Sequence, residues 1–137
     1  MACKKHRRLA STFDRLINSL NTILLDNLDG ATIYKTVDLV DYVTNDLVTG
    51  KIMSKTTGSV TIVACDAGVK GKERVRPFDT LLQIIEGNAD VTIDHRTHHL
   101  TAGQCIILPA HFRSHINSEI RYKIILTVIK SGYEDTI

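Results

Sequence analysis

Arg74 and Arg76 stand two residues apart in the run Lys70-Gly71-Lys72-Glu73-Arg74-Val75-Arg76-Pro77. On an extended strand, residues i and i+2 share a face. The two guanidiniums then form a paired array of donors suited to a carboxylate, a phosphate or a sulfated ligand. The plainer use of the same run is a solvated cationic edge, with Glu73 and Asp79 as ion-pair partners of little energetic weight.

Six histidines, His6, His95, His98, His99, His111 and His115, are the other groups suited to proton or metal chemistry. His98 and His99 are neighbours and face opposite ways on a strand, so at most one of them enters an interior. With His95 at a hairpin tip, they read as exposed or edge residues. His111 and His115 are four apart after Pro109 and are the pair from which a divalent-metal site could be rebuilt. Cys3, Cys65 and Cys105 form no CxxC pair and are odd in number, which suggests neither a disulfide framework nor a thiolate zinc site. Cys65 and Cys105 lie in apolar runs and read as small buried thiols. No Ser/His/Asp order, nucleophile elbow, phosphate-binding loop or dinucleotide fingerprint is present.

The elements that must position these residues change character along the chain. Leu9, Phe13, Leu16, Ile17, Leu20, Ile23, Leu24, Leu25 and Leu28 recur mostly at steps of three or four, which predicts one amphipathic helix over Leu9 to Leu28. Ser11 or Thr12 supplies its cap and Asp29-Gly30 its stop. After Gly30 the period becomes two. Candidate strands are Thr32 to Val37, Lys51 to Thr56, Ser59 to Ala64, Thr80 to Ile85, Ala89 to Ile93, Thr97 to Leu100, Gln104 to Leu108 and Arg121 to Lys130. Leu39 to Val48 is ambiguous and can form a helical turn. Glu86-Gly87-Asn88 and Asp94-His95-Arg96 read as hairpin turns, and Ala102-Gly103 as a further reversal. Short strands at this spacing, with no helical period between them, argue for an antiparallel sandwich or barrel.

The order Arg74-Val75-Arg76-Pro77, then Thr80 to Ile93 around Glu86-Gly87, then Leu100 to His111 with Gly103 six residues before Pro109, resembles the small single-domain cupins of the RmlC-like superfamily. The resemblance runs from about Val37 to Lys130. It implies an all-β fold, the cupin double-stranded β-helix or jelly-roll barrel, here with an N-terminal α-helix, commonly dimeric and with any site in the barrel mouth. In metal-binding members the first motif supplies His-x-His and a further ligand, and the second a His five residues after its Pro. Counting back from Gly87, those positions hold Arg74 and Arg76; the third falls at Thr80, with Gln83 as a nearby substitute. Ser114 occupies the last, and His115 comes one place late. Arginine is a permanent cation and a donor only, so it repels a metal ion. A one-residue offset turns His115 to the opposite face unless a β-bulge restores it.

These readings define the expectations for the molecule. Residues 1–30 form a helical extension and residues 31–137 a cupin barrel. The barrel binds a small ligand, anionic or neutral, through Arg74, Arg76, Thr80, Gln83 and Ser114, with no cofactor and no metal chemistry. The rival is a metal-dependent isomerase or oxygenase holding Mn, Fe, Ni or Zn on Gln83, His111 and His115. A third reading is an interaction module that docks through the N-terminal helix. A homodimer is expected from unpaired barrel edges. With 17 Lys plus Arg against 15 Asp plus Glu, the net charge of +2 is too small for a whole-domain grip on nucleic acid. The 137 residues fit one domain, and 43% hydrophobic with 23% charged residues argues against disorder. No apolar run reaches membrane-spanning length and no secretory leader is evident, so no membrane partner and a cytoplasmic address are expected.

Overall fold

The computed structural model describes residues 23–130. Alternating apolar residues there build ten strands: β1 Ile23–Asp26, β2 Leu47–Lys55, β3 Gly58–Cys65, β4 Arg74–Val75, β5 Thr80–Glu86, β6 Asn88–Ile93, β7 Arg96–Thr101, β8 Cys105–Leu108, β9 Arg113–Asn117 and β10 Tyr122–Ile129. They form two sheets, one of six strands in the order β1-β2-β3-β10-β5-β8 and one of four in the order β4-β9-β6-β7. All pairings are antiparallel except β1 with β2.

Register decides what faces inward. Ile124 of β10 lies opposite Val63 of β3 and Ile84 of β5, and Leu126 lies opposite Thr61 and Leu82. Between the sheets, Val63, Cys65, Leu82, Ile84, Val91, Leu100, Leu108, Tyr122 and Ile124 form the barrel core. Each such side chain stabilises the fold by roughly 1.5–3 kcal/mol. The outer face of the large sheet has a second core, in which Leu25, Leu39 and Val40 cover Ile62 and Ala64.

The covering segment is pinned by polar contacts. Tyr42 donates its hydroxyl to Glu86 at 2.5 Å, and Lys123, buried on the outer face, donates to the Val37 carbonyl at 2.5 Å. Arg121 and Lys123 lie over the Tyr42 ring, 5.0 and 4.9 Å from its centroid.

Several expectations are corrected. The helix expected over Leu9 to Leu28 falls mostly outside the described residues, but Ile23–Asp26 is a strand parallel to β2. Three successive apolar residues, Ile23-Leu24-Leu25, fit an edge strand better than a helical stripe, and the free edge of β2 satisfies their backbone groups. Asn27, at φ 62, turns the chain while its N–H still bonds the Lys51 carbonyl at 2.9 Å. The large sheet therefore takes in residues ahead of Gly30. Thr32 to Val37 is not a strand: Ile33 is 88% exposed and Thr36–Asp38 forms a 3₁₀ turn that brings Leu39 and Val40 onto the sheet. Cys105 is exposed on the edge strand β8, while Cys65 is buried as expected.

Glu86-Gly87-Asn88 is a corner and not a hairpin, because β5 and β6 belong to different sheets. Gly87 has φ +76, and a Cβ there would meet the Arg121 carbonyl oxygen at 2.2 Å, so only glycine fits the bend. Ala102-Gly103 likewise carries the chain from one sheet to the other. The turn at Asp94-His95 is a hairpin: Ile93 pairs with Arg96, and both loop residues have positive φ, 46 and 70, as a two-residue I′ loop requires. Among the described residues no helix is long and apolar enough to cross a membrane.

Candidate functional site

Residues of both sheets line a cavity of ≈ 310 Å³ in the barrel. Its floor follows the inward phase of three adjacent strands: Leu47, Thr49 and Lys51 on β2, Thr61 and Val63 on β3, and Tyr122, Ile124, Leu126 and Val128 on β10. The small sheet and the segment leading into it contribute Lys72, Arg74, Arg76, Ser114, His115 and Ile116, and Thr80 enters from the start of β5.

Arg74 and Arg76 share a face, as their spacing predicts, and Val75 between them points out to solvent at 58% exposure. Arg74 lies directly opposite Ser114 in the β4–β9 register. Arg76 donates from Nη1 to the Ser114 Oγ at 3.0 Å. Ser114 and Thr80 are both buried. Burial, and behind it the like charge of Arg74, lowers the pKa of Arg76 below its ordinary value.

Lys51, Lys72, Arg74 and Arg76 line the cavity, and no carboxylate does. Among the described residues none of the four has an Asp or Glu oxygen within 4.0 Å. The carboxylates next to them in sequence are engaged elsewhere. Glu73 lies 3.8 Å from Arg113 and 3.9 Å from His115, and Asp79 accepts the Ala110 N–H at 2.8 Å.

Of the expected ligand set, Arg74, Arg76, Thr80 and Ser114 are brought together, and Gln83 is not. Thr80, Leu82 and Ile84 are the inward phase of β5, so Gln83 is exposed on the outer face. The alternative metal set Gln83, His111 and His115 is not assembled either. His111 sits exposed in the turn after Pro109 at φ 71, where its N–H bonds the Arg76 carbonyl at 2.8 Å. His115 does border the cavity, although β9 carries no bulge there and Ser114 is its buried neighbour. Among the described residues no three His, Cys, Asp or Glu side chains are grouped to hold a metal ion.

Sequence reasoning missed Lys51, Thr49 and Thr61, and left Lys72 on a solvated edge. The signal for Lys51 is its phase: Leu47, Thr49 and Lys51 alternate together, and register places that phase inside, since Thr49 pairs with Val63 and Lys51 with Thr61.

Comparison with solved structures finds the same architecture. A conserved protein of unknown function from Streptococcus pyogenes superposes with a TM-score of 0.73 at 21% identity, over 79% of this chain and 95% of that one. A cupin superfamily protein from Desulfitobacterium hafniense gives 0.72 at 20% identity, over 79% and 99%. An RmlC-like cupin from Shewanella frigidimarina gives 0.64 at 15%, over 78% and 96%. At these identities the likeness establishes the fold, a cupin barrel. Comparison with curated proteins finds no significant match. The profile of the AraC-like ligand binding domain matches residues 57–125, from the start of β3 through the first half of β10, and so spans the corner at Gly87, Arg74, Arg76 and Ser114. A cupin barrel whose interior opens on a cavity, carrying that profile over half its length, belongs to the AraC-like ligand binding domain family.

Proposed function

We propose that this protein is a binding cupin that takes a small anion into the barrel mouth and performs no metal chemistry there. The observation that carries the reading is a cavity lined by Lys51, Lys72, Arg74 and Arg76 and by no carboxylate. Cations held close together without counter-charges repel one another, and an entering anion relieves that repulsion. Arg76, oriented by Ser114, keeps donors for a carboxylate or phosphate. Membership of a ligand-binding family supports the same reading. The metal-enzyme alternative loses its ligand set, because Gln83 and His111 lie away from the cavity that His115 borders. The unpaired thiols Cys65 and Cys105 suit a reducing, cytoplasmic compartment.

Titration calorimetry of the full chain with inorganic phosphate and with succinate tests this. Saturable binding at one site is expected, weakening as salt is added. Arg74→Gln combined with Arg76→Gln should abolish it. Binding indifferent to that double substitution would place the anion elsewhere and overturn the assignment.

A further inference from the structure

The cavity is graded along the barrel axis, and the gradient specifies more than an anion. Four rows cross the large sheet. Leu47 pairs with Cys65, which pairs with Tyr122; Thr49 is aligned with Val63 and Ile124; Lys51 with Thr61 and Leu126; and Val128 pairs with Thr80. The corner at Gly87 joins the sheets at the Tyr122 end, where Glu86 pairs with Lys123. Ser114 pairs with Ile93 at the far end of β6, and Arg74 lies opposite Ser114. Arg74, Arg76 and Lys51 therefore gather toward the Val128 end, while the floor of the Tyr122 end is Leu47, Val63 and Ile124, with Ile116 and its neighbour Lys72 on the opposite wall.

On the large-sheet side that end has little to offer a polar ligand. Thr49 is the polar residue of the floor there, while Lys72 and His115 stand beside Ile116 on the opposite wall. A ligand bearing hydroxyls along its length would leave those against Ile124 and Val63 unpaired. An apolar segment would gain there instead.

Resting on the anion reading above, we infer that the ligand is amphipathic: an organic acid with one anionic head held by Arg76, Arg74 and Lys51, and an unsubstituted hydrocarbon body lying against Ile124, Leu126 and Val63. A multiply hydroxylated metabolite does not match the apolar floor of Val63, Ile124 and Leu126. A cavity of ≈ 310 Å³ is at the small end of the range of ligand pockets, which limits the body to a short chain or a single ring.

The test is a calorimetric series on the full chain with acetate, butanoate, hexanoate and octanoate, alongside inorganic phosphate and the neutral hexanol. Affinity should tighten about fourfold per added methylene until the chain fills the cavity. Hexanol should bind at least roughly tenfold more weakly than hexanoate, because it forgoes a charge-assisted hydrogen bond. Methyl NMR resonances of Ile124 and Leu126 should shift in proportion to chain length and saturate at one ligand per chain. If acetate and phosphate bind as tightly as octanoate, the amphipathic inference fails while the anion reading stands. If hexanol matches hexanoate, the anion reading itself fails. If no probe binds, both fail. Ile124→Asn should flatten the chain-length dependence, and the series on the unaltered protein decides the matter even where that variant folds poorly.

Discussion

Arg76 and Ser114, 38 residues apart in sequence, meet across 3.0 Å with the guanidinium Nη1 donating to the serine Oγ. The serine is buried and uncharged, so it orients the arginine without neutralising it. A carboxylate at the same place would have closed an ion pair and removed the charge from the cavity. The hydroxyl leaves Arg76 positioned, cationic and partly desolvated.

Arg76→Met should therefore separate binding from stability. Affinity for phosphate should fall roughly 10- to 100-fold with the loss of a charge-assisted hydrogen bond. The melting temperature should hold or rise, because an uncompensated cation beside Arg74 has been removed. Titration and thermal denaturation of the same preparation check both signs, and a variant that loses stability while keeping its affinity would contradict them.

Arg74 on β4, Arg76 just after it and Ser114 on the adjacent β9 all reach the cavity. Arg74→His, Arg76→His and Ser114→His combined should place neutral imidazoles where the arginines now repel cations, and should create measurable nickel affinity. The unaltered protein should show none at this site. Failure of the triple variant to bind nickel, despite native circular dichroism, would show that these three positions do not converge.

At the corner between the sheets, Gly87→Ala should be severely destabilising. The new methyl carbon must sit at φ +76 and 2.2 Å from the Arg121 carbonyl oxygen, so the backbone of β10 has to move. A loss of more than about 3 kcal/mol in denaturant unfolding, or failure to fold, is expected. Gly30→Ala, where nothing lies within 4 Å of the added carbon, is the control and should change little.

Acid should weaken the anchor of the covering segment. Asp66 accepts the Asn45 N–H at 2.7 Å and the Arg121 Nε–H at 2.8 Å. The Asn45 N–H first, then Arg121 and the Ala67 N–H, lower its pKa from 3.8 to about 2. A folded-state pKa below the unfolded one gives stability that is fully present above the unfolded value and is lost as pH falls through the folded one. The contribution of Asp66 should therefore disappear between about pH 4 and pH 2. Asp66→Asn should lower stability at neutral pH and flatten the pH dependence over that interval. An unchanged slope in acid unfolding would remove Asp66 from this role.

We propose a homodimer joined through a barrel edge. β8 ends the large sheet with Cys105 and Ile107 exposed, Ile107 at 58%, and its free backbone groups invite pairing with a second strand. Multi-angle light scattering should return twice the chain mass at micromolar concentration, and Ile107→Lys should shift the species toward the monomer. A monomer across the whole concentration range would refute the proposal.

Much of this molecule was legible in its residues because the information is local. Period-two alternation marks β2, β3, β5, β6, β7, β8 and β10, and the spacing of Arg74 and Arg76 sets them on one face whatever the strand pairs with. The positions of Thr80 and Ser114 followed from the resemblance to cupins. Pairing is not local. Whether Glu86-Gly87-Asn88 closes a hairpin or turns a corner depends on which sheet β6 joins, and that is settled by its contacts with β9, more than 20 residues on. Ile23–Asp26 became a strand because β2 had an edge to fill, a demand that no window around residue 23 contains. Lys51 joined the site, and Gln83 left it, for one reason: on a strand, the direction of a side chain follows from register with neighbours distant in sequence, and a one-residue difference in phase separates the inside of a barrel from its outside.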